Sequence, residues 1–259
     1  MTSDADVWAH GEAYEAYVGR WSRHIAGRFV RWLEVPDGRR WLDAGCGTGA
    51  LTSAVTHAAQ TVGVDPSLGF LRGFVERAGD ANEVVAGDAA ALPFRDAVFD
   101  AVVSGLALNF VPRPDTAVAE FTRVAAPGAI VAAYVWDYAD GMRMMREFWD
   151  VVIGLDPAAE ALDEGRRFPI CRAPALAEAW IGAGLRKVTT TKIEIPTVFR
   201  GFDDFWRPFL GGQGPAPAYL AAQSPDRREA IRESLLRRLG PDMIAMTAAA
   251  WAVRGYRAT

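Results

Sequence analysis

Trp41-Leu42-Asp43-Ala44-Gly45-Cys46-Gly47-Thr48-Gly49-Ala50-Leu51 is a short apolar run that meets glycine at alternate positions and then returns to apolar residues. This pattern reads as a strand, a sharp turn and a following helix over residues 49–59. Glycines let a backbone turn tightly and approach a ligand closely, and a helix N-terminus behind them presents unpaired amide donors. A nucleotide-like ligand is the expected occupant. Gly45, Gly47 and Ala50 also satisfy the loose dinucleotide pattern, so the turn alone admits a dehydrogenase.

Outward from this turn, apolar or β-branched runs at 40–43, 61–65, 83–86, 97–104 and 128–136 read as strands, with helix-compatible segments at 49–59, 67–77 and 114–124 between them. Strands alternating with helices at this spacing predict βαβ units and a parallel sheet, an α/β fold. Residues 14–33 carry Tyr14, Tyr17, Val18, Trp21, Ile25, Phe29 and Trp32 at mostly three- and four-residue spacing, an amphipathic helix. Beyond the fifth strand, 141–155 and 174–183 read as helices and 187–198 as a sixth strand. An insertion over 201–240 holds the aromatic run Phe202 to Leu210 and a helix at 226–239, and 243–256 is assigned to a terminal strand. The expected organisation is one domain over 1–259, with a helical cap at 1–39, a ligand-binding core at 40–138, helices at 139–186 and an inserted lid at 200–242.

Composition narrows the function. The 259 residues are 51% hydrophobic and 23% charged, with 28 Lys and Arg against 32 Asp and Glu and a formal net charge of −4. Such a chain buries a core, and its interspersed charge argues against a general nucleic-acid binder. Cys46, Cys171, His10, His24 and His57 lack ligand-like spacing, so neither a disulfide framework nor a metal site is expected. The polar, acidic start and the shortness of the apolar runs predict a cytoplasmic protein without membrane insertion.

Three carboxylates stand at strand ends, and one of them discriminates among nucleotide ligands. Asp43 lies two positions before the first glycine, where a pyrophosphate would meet like charge but an ammonium and a sulfonium are welcome. S-adenosylmethionine carries both. Asp65 ends the second strand, 20 residues beyond Gly45, where a carboxylate accepts from ribose hydroxyls of either ligand. Asp88, just past the third strand, is placed to take an adenine amino group while the Ala89 amide donates to the ring; the bland alternative for Asp88 is a turn cap.

Residues 42–51, Val62-Gly63-Val64-Asp65-Pro66-Ser67, Gly87-Asp88-Ala89-Ala90-Ala91-Leu92-Pro93-Phe94, Phe99-Asp100-Ala101-Val102-Val103-Ser104 and Glu120-Phe121-Thr122-Arg123-Val124 with Pro127-Gly128-Ala129 form an ordered series. In this series the sequence resembles the class I S-adenosylmethionine-dependent methyltransferases, in the small-molecule group that includes the ubiquinone- and menaquinone-biosynthesis type, over roughly residues 40–138. The resemblance implies a Rossmann-like, seven-stranded, mostly parallel sheet with its last strand antiparallel and helices on both faces. It further implies S-adenosylmethionine as cofactor, with Asp43, Gly45 and Gly47 at its methionine end and Asp65 on the ribose. Ser67 and Leu68 flank ribose and adenine, Asp88 and Ala89 hold the adenine, and Ser104, Gly105 and Leu106 line the methyl end.

The chain departs from many relatives after the fourth strand, where Asn109 stands in place of a histidine, so no histidine base acts there. Asn109, Asp137 and Tyr138 are weak catalytic candidates, together with Asp140. His57 and Cys46 read as structural, and Arg20 as a minor candidate for the cofactor carboxylate. Trp136, Tyr138, Met142, Met145, Phe148, Trp149, Phe205, Trp206 and Phe209 suit an apolar acceptor pocket as well as ordinary core. The expected partner is a small-molecule acceptor, with a homodimer allowed. The competing functions are an NAD-dependent oxidoreductase and a cofactor-binding protein of this fold that has lost or changed methyl transfer.

Overall fold

Strands β1 (Arg40–Ala44), β2 (Gln60–Asp65), β4 (Phe99–Gly105) and β5 (Ala125–Trp136) are buried along nearly their whole length. Continuous apolar sequence of this kind belongs to strands covered on both faces. The computed structural model describes residues 19–78, 83–211 and 214–259. With β3 (Glu83–Ala86), β6 (Arg186–Phe199) and β7 (Ile244–Tyr256), the strands form one seven-stranded sheet in the order β3-β2-β1-β4-β5-β7-β6. The pairs β1–β2, β1–β4, β2–β3 and β4–β5 are parallel. β7 runs against β5: Gly128 and Ala129, early in β5, bond to Arg257 past the end of β7, whereas Asp137 bonds to Ala249 near its middle. The seven-stranded, mostly parallel sheet with an antiparallel terminal strand agrees with the expectation from sequence.

The chain divides into two units. The first comprises Ser22–Val135, Ile170–Ile193 and Ala250–Thr259. In it, helix α1 (Arg20–Leu33) buries Ile25, Ala26, Phe29 and Leu33, with the Phe29 ring 4.6 Å from that of Tyr134. Arg254 closes this helix by donating to the Trp32 carbonyl at 2.6 Å, satisfying an acceptor that a helix end leaves open. Helices α2 (Leu68–Ala78) and α3 (Pro114–Val124) are the crossovers before β3 and β5. Tyr14 and Tyr17 of the expected N-terminal helix, and His10, lie outside the described residues.

The second unit comprises described residues 19–21, 136–169 and 194–249. It holds α4 (Arg143–Leu155), the short α5 (Glu164–Arg167), α7 (Phe202–Trp206), α8 (Pro215–Ala221) and α9 (Pro225–Leu239), while α6 (Ala173–Gly182) belongs to the first unit. Its interior is aromatic, with Phe148 stacked on Phe209 at 4.6 Å and 10°. The aromatic and Met residues that the sequence offered as an acceptor pocket are all buried here. The basic face of α9 has a local use: Arg227 donates to the carbonyl of Leu155 at the end of α4, and Arg228 to that of Ala221 at the end of α8.

One expected element is absent. Residues 49–59 do not form a helix; they make a single 3₁₀ turn over Thr52–Ala54. Their tail is drawn into the sheet lead-in, because His57 accepts from the Gly38 amide and Ala59 donates to Arg39 ahead of the Arg40↔Gln60 pairing. The remaining stretch is too short to repay helix nucleation, and Thr52, Val55 and Thr56 are β-branched. His57 is exposed on this connection rather than on a helix.

Trp180 tests the packing of α6 on the sheet, since it is fully buried and its indole N–H donates to the Val131 carbonyl at 2.8 Å. Trp180→Phe removes that bond and leaves a small cavity, with an expected loss of about 1–3 kcal/mol. Urea unfolding measures it; a loss under about 0.5 kcal/mol, the scale of an unimportant surface change, would show that the bond contributes little.

Candidate functional site

Each glycine of the turn has a left-handed backbone, with φ of +79° at Gly45, +51° at Gly47 and +84° at Gly49. A side chain at Gly45 would place its Cβ 2.5 Å from Ala107 Cβ, and one at Gly49 only 2.3 Å from the Phe74 ring on α2. Nothing lies within 4 Å of the corresponding point at Gly47, so the turn is open to a ligand there. Four of its amides are already committed. Gly45 and Cys46 both donate to the Val64 carbonyl, at 2.7 and 2.9 Å, Gly49 to the Cys46 carbonyl, and Gly47 to Asp65 Oδ2 at 2.9 Å. With no helix behind the turn, its amides do not form the anion cradle that the sequence pattern suggested.

Asp65 closes β2 and ties two loops together, since its Oδ1 accepts from the Ser67 amide at 2.8 Å while Oδ2 holds Gly47. Burial raises its pKa above the ordinary value and these two amides oppose the rise. Asp43 on β1 is 1% exposed. Its Oδ2 accepts from the Thr52 hydroxyl at 2.7 Å, and its Oδ1 is buried without a partner. Burial, against the Thr52 bond and with help from the Asp65 charge, lifts its pKa from 3.8 to about 7. Burial, with Asp43 and Asp65 adding, pushes the Cys46 thiol up as well, which leaves it unreactive at neutral pH.

At the end of β4, Ser104 is buried and Leu106 adopts φ +59°, a conformation that a branched residue holds only where its surroundings impose it. Its amide donates to the Tyr134 carbonyl at 2.8 Å. Asn109 follows on a 3₁₀ turn, Leu108–Phe110, 7% exposed, with neither amide heavy atom partnered. At the end of β3, Asp88 is exposed and its Oδ1 accepts from the Ala90 amide at 2.8 Å, so it does act as a turn cap, and Ala89 is buried. Ser67 caps α2 through its hydroxyl, and Leu68 is 57% exposed.

The strand order arranges these groups. Asp88, Asp65, Asp43 and the Ser104–Asn109 segment stand at the ends of β3, β2, β1 and β4, successive neighbours in the sheet. At about 4.8 Å per strand they form a row of about 14 Å. Asp137 and Tyr138 follow the end of β5, the next strand in that order, paired in parallel with β4. Both are buried in the second unit, where the Asp140 amide donates to Asp137 Oδ1. Arg20 is paired with Asp204 at 3.1 Å in that unit. Thr52 was missed, as a partner nine residues beyond Asp43 obeys no spacing rule. Glu164 was missed too: fully buried, with Trp149 donating to Oε2 and Oε1 without a partner, its pKa is pushed by burial to about 7. Among the described residues, no group of three or more His, Cys, Asp or Glu side chains is arranged to hold a metal ion, and no helix is long and apolar enough to cross a membrane.

Asp43 should make stability fall as pH rises. A carboxyl whose folded pKa lies above its unfolded value stabilises fully below the unfolded value, and that contribution is lost as pH rises through the folded one, here from 3.8 to about 7. Urea unfolding across this window should show a shallower decline in Asp43→Asn than in wild type; equal slopes would assign the titration to other groups, Glu164 first.

The chain matches a known family over residues 42–133, the family described as methyltransferase domain. It is 42% identical over 110 residues to a demethylmenaquinone methyltransferase of Renibacterium salmoninarum, covering 42% of this chain and 44% of that protein. To the enzyme of the same name from Thermobifida fusca it is 36% identical over 129 residues, covering 48% and 55%. The chain thus spans about half the length of the curated relatives it matches. Two solved structures share its fold: Haemonchus contortus phosphoethanolamine N-methyltransferase 2 with S-adenosylhomocysteine (TM-score 0.60, 17% identity, 100% of this chain and 59% of that one) and the [4+2]-cyclase SpnF (TM-score 0.53, 20% identity, 93% and 81%). Over residues 42–133 the chain is thus similar in sequence to the methyltransferase-domain family, and its fold is shared with solved methyltransferases.

Proposed function

We propose that this protein transfers a methyl group from S-adenosylmethionine to a small, partly apolar or aromatic acceptor. The observation that carries the reading is a glycine turn whose amides are spent internally beside two buried carboxylates, one with an unpartnered oxygen. A pyrophosphate would find few donors and like charge there; an ammonium and a sulfonium find counter-charge. The same comparison disfavours an NAD-dependent oxidoreductase.

In this reading Asp43 Oδ1 receives the cofactor ammonium over the open face of Gly47. Asp65 offers its remaining lone pairs to the ribose hydroxyls, and Ser67 and Leu68 flank them. Asp88 takes the adenine amino group through the oxygen that Ala90 leaves unused, and the Ala89 amide faces the ring. Ser104, Gly105 and Leu106 border the reactive methyl. The bound cofactor supplies a sulfonium leaving group, so the protein's part is to align the nucleophile and exclude water. Asn109, beside the methyl end with an unspent donor and acceptor, is the group that orients the acceptor's nucleophilic atom. The family match ends at residue 133, ahead of the aromatic second unit, and the insertion 200–242 is assigned to acceptor selection. The relatives' quinone substrate therefore does not transfer with the domain.

Incubating the protein and methyl-labelled S-adenosylmethionine with a metabolite extract, then finding the labelled product by mass spectrometry, tests the activity. No labelled product beyond the protein-free control would leave a cofactor-binding protein that has lost methyl transfer, or a different reaction on the same fold, as SpnF exemplifies by name. In calorimetry S-adenosylhomocysteine should bind and NADH should not, and Asp65→Ala should cost about 1.5–3 kcal/mol of that affinity, the scale of bonds to a charged partner. Unchanged affinity would remove Asp65 from the ribose.

A further inference from the structure

The segment between β3 and β4 carries Asp88 and Ala89 but has no regular structure beyond an isolated Asp88↔Ala91 bridge. Its own backbone supplies two short-range bonds, Ala91 to Asp88 and Phe94 to Leu92. The Ala90 amide adds a bond to Asp88 Oδ1, backbone bonds from Gly87, Ala97 and Val98 tie its two ends to the fold, and two side chains on α3 grip its middle. Arg123 donates from Nε to Glu120 Oε1 at 2.7 Å, from Nη1 to the Phe94 carbonyl at 2.8 Å and to Asp96 Oδ1 at 2.7 Å. It donates from Nη2 to the Leu92 carbonyl at 3.0 Å and to Glu120 Oε2 at 2.8 Å. All five N–H bonds of the guanidinium are used. Glu120 Oε2 also accepts from the Leu92 amide at 2.8 Å, so Leu92 is gripped by both its N–H and its C=O.

We propose that Glu120 and Arg123 are positioning residues for the cofactor's adenine: they touch no ligand, but fix the curvature of the 88–96 loop that aims Asp88 and the Ala89 amide. This rests on the assignment of Asp88 to the adenine amino group. Two features argue that the pair is built for aim rather than for general stability. The guanidinium fork spans carbonyls two residues apart, so it sets a bend instead of a single contact, and a lysine with three donors on a flexible stem cannot reproduce it. The brace is also anchored from behind, because the Arg123 backbone carbonyl accepts from the Ala97 amide at 3.0 Å and from Arg257 Nη1 at 3.0 Å. Glu120 holds its charge firmly, its pKa lowered chiefly by the hydrogen bond from Arg123.

The test pairs a change in the protein with a change in the ligand, which isolates coupling from stability. S-inosylhomocysteine presents a carbonyl where S-adenosylhomocysteine presents the 6-amino group. Wild type should prefer the adenosyl compound by about tenfold or more, the cost of a lost bond to a charged partner. In Arg123→Lys, and separately in Glu120→Gln, that preference should fall below about threefold because Asp88 is no longer aimed, a difference of more than half a decade. Since both ligands are measured on the same variant, a purely structural role would weaken both alike and leave the ratio intact. A preference kept in both variants overturns the proposal. A wild type that binds both compounds equally removes the adenine assignment, and the brace with it. Failure of S-adenosylhomocysteine to bind wild type overturns the functional reading beneath both. Should Arg123→Lys not fold, Glu120→Gln decides.

Discussion

The Asp65 carboxylate joins the two loops on which everything else at the site depends. One oxygen takes the Gly47 amide and the other the Ser67 amide, so the glycine turn after β1 and the entry to α2 are pinned to a single rigid strand end. Val64, one residue earlier, secures the first half of the turn by accepting from Gly45 and Cys46. The turn thus takes its form from β2 rather than from a helix of its own, and Phe74 packed against Gly49 completes the seat. Loops on a scaffold this stiff keep a binding geometry without help from the ligand.

Glycine spacing, strand runs and strand-end carboxylates made the sheet and the row Asp43, Asp65 and Asp88 legible in the sequence, because each obeys a local rule. What stayed hidden is tertiary. The expected helix at 49–59 fails because His57 and Ala59 are recruited beside residues 38 and 39, a pairing that no local propensity encodes. Thr52 under Asp43, the left-handed Leu106 and the unpartnered Asn109 likewise follow no local spacing rule. Glu120 and Arg123 were visible as part of an ordered motif, but their bonds to residues 92–96 cross some 30 positions and reveal their use only in the fold.

The second unit follows a different economy. Arginines from α9 finish the ends of α4 and α8, so the basic residues of this helix are part of how the unit closes. Arg146 is bound by Asp163, which also caps α5, and beside this pair Glu164 sits buried with one oxygen on the Trp149 indole. An intact buried ion pair of this sort contributes little net stability, but removal of one partner leaves an uncompensated buried charge and is strongly destabilising.

The spent amides of the glycine turn bear on competition inside a cell. Adenosine is the common half of the most abundant soluble nucleotides, and a pocket that merely recognised adenine and ribose would spend much of its time filled by them. In the proposed cofactor site, the place where their phosphates would fall meets few free donors and the carboxylates Asp43 and Asp65 instead. In the proposed binding mode that electrostatic mismatch lowers the affinity for phosphate-bearing nucleotides relative to S-adenosylmethionine, so selectivity comes as much from what is disfavoured as from what is held.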